Sequence, residues 1–222
     1  MDRHGVSRDG RLCRPGRRAA RDDRPRARPR PVRRRERLDA TPGGVVMELR
    51  GPRVVLRPFR EDEIDAVWTA RRAPDGFSAW TGRVDEAAFR RRLSRSGRFW
   101  NGRLDLAIES EGRLVGELDA RQPSNALPPG VYEIGIALFG QDDRGRGLGG
   151  EAVELMTEYL FANGGAERVQ ASTAVDNVAM RRVLEKLGYA CEGVMRGFMP
   201  SLAGRDDYAL YGVTRRAWRE RG

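Results

Sequence analysis

Histidine, cysteine and lysine are almost absent from this 222-residue chain, which holds one, two and one of them, respectively. The single histidine is His4, close to the N-terminus. One imidazole at that place does not support Ser-His-Asp or Cys-His catalysis, and it does not support most imidazole-based metal sites. We therefore expect no metal site and a chemistry that other side chains carry.

The two cysteines and the lack of long apolar runs bear on the compartment. Cys13 and Cys191 are far apart and include no C-x-x-C pair, a spacing that does not predict a disulfide framework or a zinc knuckle. No apolar run reaches the 18 residues of a membrane span, and no apolar signal segment follows the N-terminal arginine pairs. The sequence therefore predicts a cytoplasmic protein without a membrane partner.

Positive charge is concentrated in residues 1–46, which hold 15 arginines, six acidic residues and no aromatic residue. Such a segment cannot offset its ordering entropy by burial, so we expect a disordered Arg- and Pro-rich tail. Residues 47–222 hold 27 basic and 26 acidic residues and are expected to form one domain. The alternative is that the start site has been assigned too far upstream and that translation begins at Met47. The composition, with 41 arginines to one lysine, suits this equally well.

Apolar patterns divide residues 47–222 into short elements. Alternation typical of strands occurs in seven segments: 54–59, 104–109, 113–120, 131–139, 168–175, 189–198 and 207–213. Helical spacing begins at four points: Glu61, Asp85, Leu148 and Asn177. This order predicts a mixed α/β fold, in which helices flank a mainly antiparallel central sheet with a crossover helix between its fourth and fifth strands. In the second helix, Ala88 and Leu93 are expected to face inward and Arg90–Arg92 to face water.

A glycine-rich segment, residues 144–150, lies between a predicted strand and a predicted helix. Backbone N–H groups and the positive end of the helix dipole can hold phosphate oxygens there, although a plain glycine turn is the alternative. Gly145, Gly147 and Gly150 satisfy G-x-G-x-x-G, but the preceding strands form a meander, five residues separate strand and glycine, and residues 168–175 contain no acid for a ribose. We therefore reject a Rossmann unit, and the absence of Gly-Lys-Ser/Thr excludes a P-loop.

The segment resembles the GNAT superfamily of acyl-CoA-dependent N-acetyltransferases, whose signature (Arg/Gln)-x-x-Gly-x-(Gly/Ala) is matched by Arg144, Gly147 and Gly149. Its Rim-type branch, which acetylates N-terminal residues of ribosomal proteins, is the most similar. Three features carry that likeness: Tyr-Glu-Ile-Gly-Ile at 132–136, Asn177, and Val-Leu-Glu-Lys-Leu-Gly-Tyr at 183–189 with Glu192-Gly193. The resemblance spans residues 47–218 and is specific to the superfamily more than to a substrate.

The resemblance implies the GNAT fold and acetyl-CoA as co-substrate. Pantetheine would lie along Ile136, Ala137 and Leu138, in a cleft where this strand splays from the next. Asn177 would reach the cofactor arm, and it also suits a helix N-cap. The pyrophosphate would bind the backbone N–H groups of Arg144, Gly145, Arg146, Gly147, Leu148, Gly149 and Gly150. The Arg146 side chain either adds charge to this site or is solvated.

Glu133 matches the glutamate of the Rim-type Glu-Ile-Gly segment, which implies a general base acting directly or through water; the alternative is an exposed strand glutamate. Asn177 is the next catalytic candidate. Deprotonating an α-amine of pKa about 7.8 at pH 7 costs about 1 kcal/mol, against about 4–5 kcal/mol for lysine. Leu184 and Met180 stand where many members carry a tyrosine and the Rim-type a serine, so the general acid is unassigned. Ser172 or a water would serve.

The resemblance also indicates an acceptor groove between residues 73–82, with Phe77 and Trp80, and residues 196–205. The predicted activity is transfer of an acetyl group to a primary amine of a protein N-terminus or a small molecule. Two other classes stay open: a non-catalytic acyl-CoA-binding or sensor domain, and a nucleic-acid-binding protein acting through its tail. The tail lacks aromatic residues for base stacking, which disfavours the last. The sequence leaves a homodimer open.

Overall fold

An eight-stranded sheet organises the computed structural model, which describes residues 47–72, 85–201 and 204–221. The predicted tail and the segment with Phe77 and Trp80 lie outside the described residues. The strands are β1 Leu49–Arg50, β2 Val55–Arg57, β3 Arg103–Ser110, β4 Arg113–Arg121, β5 Val131–Leu138, β6 Arg168–Ala174, β7 Ala190–Ser201 and β8 Gly204–Thr214. The helices are α1 Ile64–Arg72, α2 Glu86–Leu93, α3 Leu148–Ala162, α4 Val178–Lys186 and α5 Arg215–Glu220.

The strand order across the sheet is β1-β2-β3-β4-β5-β6-β8-β7. Every neighbouring pair is antiparallel except β5 and β6, which are parallel and joined by the crossover helix α3. The mixed, mainly antiparallel α/β fold is therefore confirmed. Two elements were not predicted, the two-residue strand β1 and the six-residue helix α5, because each is too short to show a period.

Apolar cores cover both faces of the sheet. The larger core packs α3, α4 and α5 on one face and includes Met156, Leu160 and Leu184, all fully buried. The smaller core lies beneath α1 and α2, where Val67 and Leu93 are fully buried. The face of the sheet beneath α1 and α2 also carries charged side chains, among them Glu117, which pairs with Arg71 of α1, and we refer to it as the active face.

Two details of α2 differ from the sequence prediction. Ala88 is exposed, and Phe89 is the residue that enters the core beside Leu93. Arg92 was expected in water but is half-buried, with its guanidinium 5.2 Å from the centre of the Phe89 ring. Both differences have one cause: α2 rotates to bury its aromatic residue, which removes more apolar area from water than alanine would.

The prediction for the cysteines also needs correction, because Cys191 is disulfide-bonded in the structure. Cys13, near the N-terminus, lies outside the described residues. Among the helices that the structure describes, none combines the length and the apolar character that a membrane crossing requires.

Candidate active site

The strands β5 and β6 separate after three residue pairs. They pair at Val131↔Arg168, Tyr132↔Val169 and Glu133↔Gln170. Beyond this point β5 stays paired with β4 as far as Leu138, while β6 stays paired with β8 as far as Ala174. The two strands therefore diverge and leave a wedge-shaped cleft, as predicted, with Glu133 and Gln170 at its closed end.

The register of β5 determines which peptide groups face the wedge. The N–H of Phe139 donates to the carbonyl of Val115 at 3.0 Å, so alternate residues of β5 direct their peptide groups towards β4. Ile136 and Leu138 consequently direct their N–H and C=O groups into the wedge. No strand among the described residues pairs with them there. They form an open row of donors and acceptors that could pair with an extended ligand, although the Leu138 carbonyl already accepts a long bond of 3.5 Å from Arg144 Nη2.

The glycine loop lies at the open end of the wedge and leads directly into α3. Gly145 and Gly147 have φ values of 74° and 81°, in the left-handed region that favours glycine. Gly147 is the N-cap and supplies no side-chain cap, and its carbonyl accepts from Glu151 N–H at 3.1 Å. The N–H groups of residues 148–150 have no partner within the helix. These amides and the positive end of the helix dipole are chemically suited to hold an anion.

The arginines of the loop make exposed polar contacts. Arg144 donates to Gln141 Oε1 at 3.0 Å, and Arg146 pairs with Glu111 Oε1 at 2.7 Å. The Arg146 side chain is therefore paired with the turn between β3 and β4. This differs from both alternatives predicted from the sequence, a side chain at the phosphate site and a solvated one.

A further arginine, Arg53, reaches this loop from the turn between β1 and β2. Its Nη1 donates to the carbonyl of Arg146 at 2.9 Å, and its Nε pairs with Glu151 Oε2 at 2.8 Å. Glu151 is buried and also accepts from the N–H groups of Arg53 and Val54. No sequence pattern points to Arg53, because its position depends on an ion pair across 98 residues.

Glu133 is half-buried and held by two neighbours on the active face. Arg121 Nη2 donates to its Oε1 at 2.8 Å, and Gln170 Nε2 donates to its Oε2 at 3.2 Å. Arg121 Nε also lies 3.1 Å from Asp119 Oδ2, and Asp119 Oδ1 lies 3.1 Å from Arg103 Nη2. Burial raises the pKa of Asp119, which Arg103 and Arg121 oppose. Charged pairs thus connect Glu133 with β3.

Asn177 caps α4, as predicted, since its Oδ1 accepts from Met180 N–H at 3.1 Å. Leu184 is fully buried in the larger core and offers no acid group. Ser172 and Tyr208 point towards the active face, on the far side of the wedge from β5, because their positions alternate with the core residues Ala171 and Ala209. Burial raises the pKa of Tyr208, which keeps its phenol protonated. No sequence motif points to this tyrosine.

The hairpin formed by β7 and β8 lies beyond β6, at the end of the sheet opposite β1, and borders the wedge on that side. Within it, Gly197 N–H donates to Asp207 Oδ1 at 2.7 Å and Arg196 pairs with the same carboxylate. The Phe198 ring packs against Tyr208 with centroids 5.7 Å apart. The structure thus describes most of the predicted groove segment 196–205, whereas its counterpart, 73–82, lies outside the described residues.

Comparison with solved structures identifies the same architecture elsewhere. A GNAT-family acetyltransferase from Bacillus anthracis superposes with a TM-score of 0.63 at 21% identity, covering 77% of this chain and 99% of that one. RimJ from Mycobacterium smegmatis, in complex with CoA-disulfide, gives 0.59 at 23% identity and covers 72% and 81%. RimL, a ribosomal L7/L12 alpha-N-protein acetyltransferase in complex with coenzyme A, gives 0.60 at 16% and covers 74% and 95%.

Sequence comparison gives a family but no individual relative. A search of curated proteins returned no significant match. The family model described as an acetyltransferase (GNAT) domain matches residues 53–190, more than half of the chain. That range includes the glycine loop, the wedge and Glu133. The chain belongs to the GNAT family of acetyltransferases, with structural neighbours in its Rim-type branch.

Proposed function

We propose that this acetyltransferase moves an acetyl group from acetyl-CoA to a primary amine, of a protein N-terminus or a small molecule. The observation that carries the proposal is the continuity of the wedge. Its open row of peptide groups at Ile136 and Leu138 connects the anion-binding glycine loop with the carboxylate of Glu133.

The chain offers a fitting group for each part of the co-substrate. The pyrophosphate is assigned to the N–H groups of residues 145–150, since the Arg144 N–H, also predicted to bind it, already donates to the Gln141 carbonyl at 3.1 Å. The Arg53 guanidinium beside Gly147 is a further source of positive charge. The pantetheine amides are assigned to the peptide groups of Ile136 and Leu138. Asn177 faces solvent at the N-terminus of α4 and is assigned to the cofactor arm as well as to the cap.

The reaction requires that the amine be neutral and that the thiolate can leave. The amine nitrogen bonds to the thioester carbon, the C–S bond breaks, and the amine proton passes to Glu133 directly or through a water. Arg121 and Gln170 hold the carboxylate in place for this transfer. The CoA thiolate has a pKa near 8.5 by analogy with cysteine, so it takes a proton from water or from a hydroxyl such as Ser172 or Tyr208.

A modest base favours a protein N-terminus over lysine as the acceptor. At pH 7, deprotonating an α-amine costs about 1 kcal/mol, whereas deprotonating a lysine side chain costs about 4–5 kcal/mol. The RimL neighbour, a ribosomal L7/L12 alpha-N-protein acetyltransferase, supports the same class of acceptor. No observation on the described residues supports the two alternatives, an acyl-CoA sensor domain and a nucleic-acid-binding protein.

An acceptor screen tests the proposal. The full chain is incubated with acetyl-CoA and separate pools of N-terminal peptides, small amines and N-terminally blocked lysine peptides, and products are identified by mass spectrometry. We expect acetylation in the first or second pool and little in the third. A protein that binds acetyl-CoA but acetylates none of the pools contradicts the proposal and supports the sensor reading.

A further inference from the structure

A cavity of about 300 Å³ lies between α2 and the start of β3 on the active face. Five of its nine lining residues are arginines and one is a carboxylate: Arg91, Arg92, Arg95, Arg98, Arg103 and Asp105. The volume is at the lower end of the range typical of small-ligand sites. No role in cofactor binding or catalysis has been assigned to it above, and we name it the arginine pocket.

The positive charge of the arginine pocket exceeds its internal compensation. Asp105 accepts from Arg103 at 2.9 Å and lies 3.5 Å from Arg92. Arg103 also pairs with Asp119, outside the pocket, at 3.1 Å. These two carboxylates offset Arg92 and Arg103 only. The Nε and Nη2 atoms of Arg92 are buried without a hydrogen-bond partner. The side chain of Arg91 has no ion pair with any residue that the structure describes. Burying donors without acceptors is unfavourable, and an anion would supply the acceptors.

The rim of the pocket is rigid and planar. The Arg95 guanidinium lies 4.1 Å from the ring centre of Trp100, which is 46% exposed. A two-residue turn fixes Trp100, with Asn101 and Gly102 at φ 49° and 71° and reciprocal bonds of 2.8 and 3.0 Å between Trp100 and Arg103. Stacking holds the guanidinium edge free to bind a carboxylate or phosphate in a fixed plane.

The arginine pocket and Glu133 lie on the same face of the sheet at a definable distance. Arg103 of β3 is opposite Arg121 of β4, which is opposite Glu133 of β5. Two strand spacings separate Arg103 from Glu133, or about 10 Å. An extended peptide covers this distance in about three residues. A single acceptor can therefore place its amine at Glu133 and a side chain in the arginine pocket.

We propose that the arginine pocket binds an anionic group of the acceptor, so that the enzyme prefers N-terminal segments with acidic side chains near their third residue. The proposal deepens the assignment of a primary-amine acceptor and rests on it for the location of the amine. The binding of the anion itself rests on the charge and geometry of the pocket alone.

Two hexapeptides test the proposal, identical except for Asp or Asn at the third and fourth positions. With the full chain we expect kcat/KM for the Asp peptide to exceed that for the Asn peptide at least tenfold. The ratio should fall to about one in the double variant Arg91→Gln, Arg95→Gln, because the two arginines at the edge of the pocket no longer attract the Asp side chains. The variant should keep its fold, because neither arginine pairs with a carboxylate among the described residues. The double variant Arg216→Gln, Arg219→Gln, also on an exposed helix surface, should keep the wild-type ratio.

A binding measurement separates this inference from the proposed function. The same two peptides in N-acetylated form are titrated calorimetrically into the full chain with CoA present. At least tenfold tighter binding of the Asp peptide, lost in the Arg91→Gln, Arg95→Gln variant, supports the pocket even if no acetylation is detected. Equal affinity of the two peptides, or an unchanged preference in the variant, overturns the inference while leaving acetyl transfer intact.

Discussion

At the residue scale, the carboxylate of Glu133 is the group whose surroundings fit a base. Arg121 and Gln170 fix its two oxygens by hydrogen bonds, and it stands where β5 and β6 part. Its replacement Glu133→Gln keeps the shape and removes the proton acceptor. We expect acetyl-CoA binding to persist and kcat/KM to fall by about 10² to 10⁴.

A pH–rate profile distinguishes a base from a structural glutamate. Raising the pH towards the pKa of the acceptor amine should restore part of the rate lost in Glu133→Gln, because solvent then supplies neutral amine. Glu167→Gln, an exposed replacement paired with Arg215, serves as the matched control and should behave as wild type. Equal rates of Glu133→Gln and wild type at pH 7 would remove Glu133 from the mechanism.

A second residue-scale prediction concerns stability at Glu63, which joins the turn before α1 to β2. Burial alone raises its pKa, but hydrogen bonds from Arg57 and the Arg60 N–H outweigh this and hold the pKa below its ordinary value. The stability that Glu63 contributes is therefore fully present above the pKa of a free glutamate, and it is lost as the pH falls through the lower pKa of Glu63 in the folded protein. Glu63→Gln should cost about 1–3 kcal/mol at pH 7. Urea unfolding should show this deficit shrinking below about pH 4; a deficit independent of pH would contradict the assignment.

At the scale of elements, the glycine loop and α3 act together as the phosphate site. Gly147→Asn and Gly147→Asp place side chains of equal size, each tolerant of left-handed φ, at the same position. A Cβ there would meet Arg53 Nη1 at 2.7 Å, the mobile end of a long side chain. We expect the Asp variant to bind CoA at least tenfold, about 1.4 kcal/mol, more weakly than the Asn variant. Equal affinities in calorimetric titration would reduce the loop to a structural turn.

Elements with a strong apolar period were predictable, and contacts between distant elements were not. The alternation in β3, β4 and β5 and the helical spacing of α3 gave those elements to within about two residues. The glycine loop and Glu133 could be proposed as site residues from the sequence because their motifs are local, and their roles stay predictions. Arg53 was missed because a long-range ion pair with Glu151 brings it to the glycine loop, and Tyr208 because only the register of β8 brings it to the wedge. The arginine pocket was missed because Arg92 looked like a solvated charge.

At the scale of the whole molecule, we propose that the domain begins at Met47. Met47 is buried in the larger core, and its N–H donates to Gly97 carbonyl at 2.9 Å. A chain of residues 47–222 should therefore melt within about two degrees of the full chain, with both in reducing buffer so that Cys191 is a thiol in each. A loss of several degrees, roughly 1 kcal/mol for a domain of this size, would show that residues 1–46 add to the fold.

We propose that the wedge carries acetyl transfer from the thioester to an amine. A reaction of the full chain with isotope-labelled acetyl-CoA and the best acceptor peptide tests this directly. We expect free CoA thiol and labelled N-acetyl peptide to appear in equal amounts, and both to fall together in Glu133→Gln. Label recovered as free acetate, or retained in acetyl-CoA while the protein binds it, would contradict acetyl transfer at the wedge.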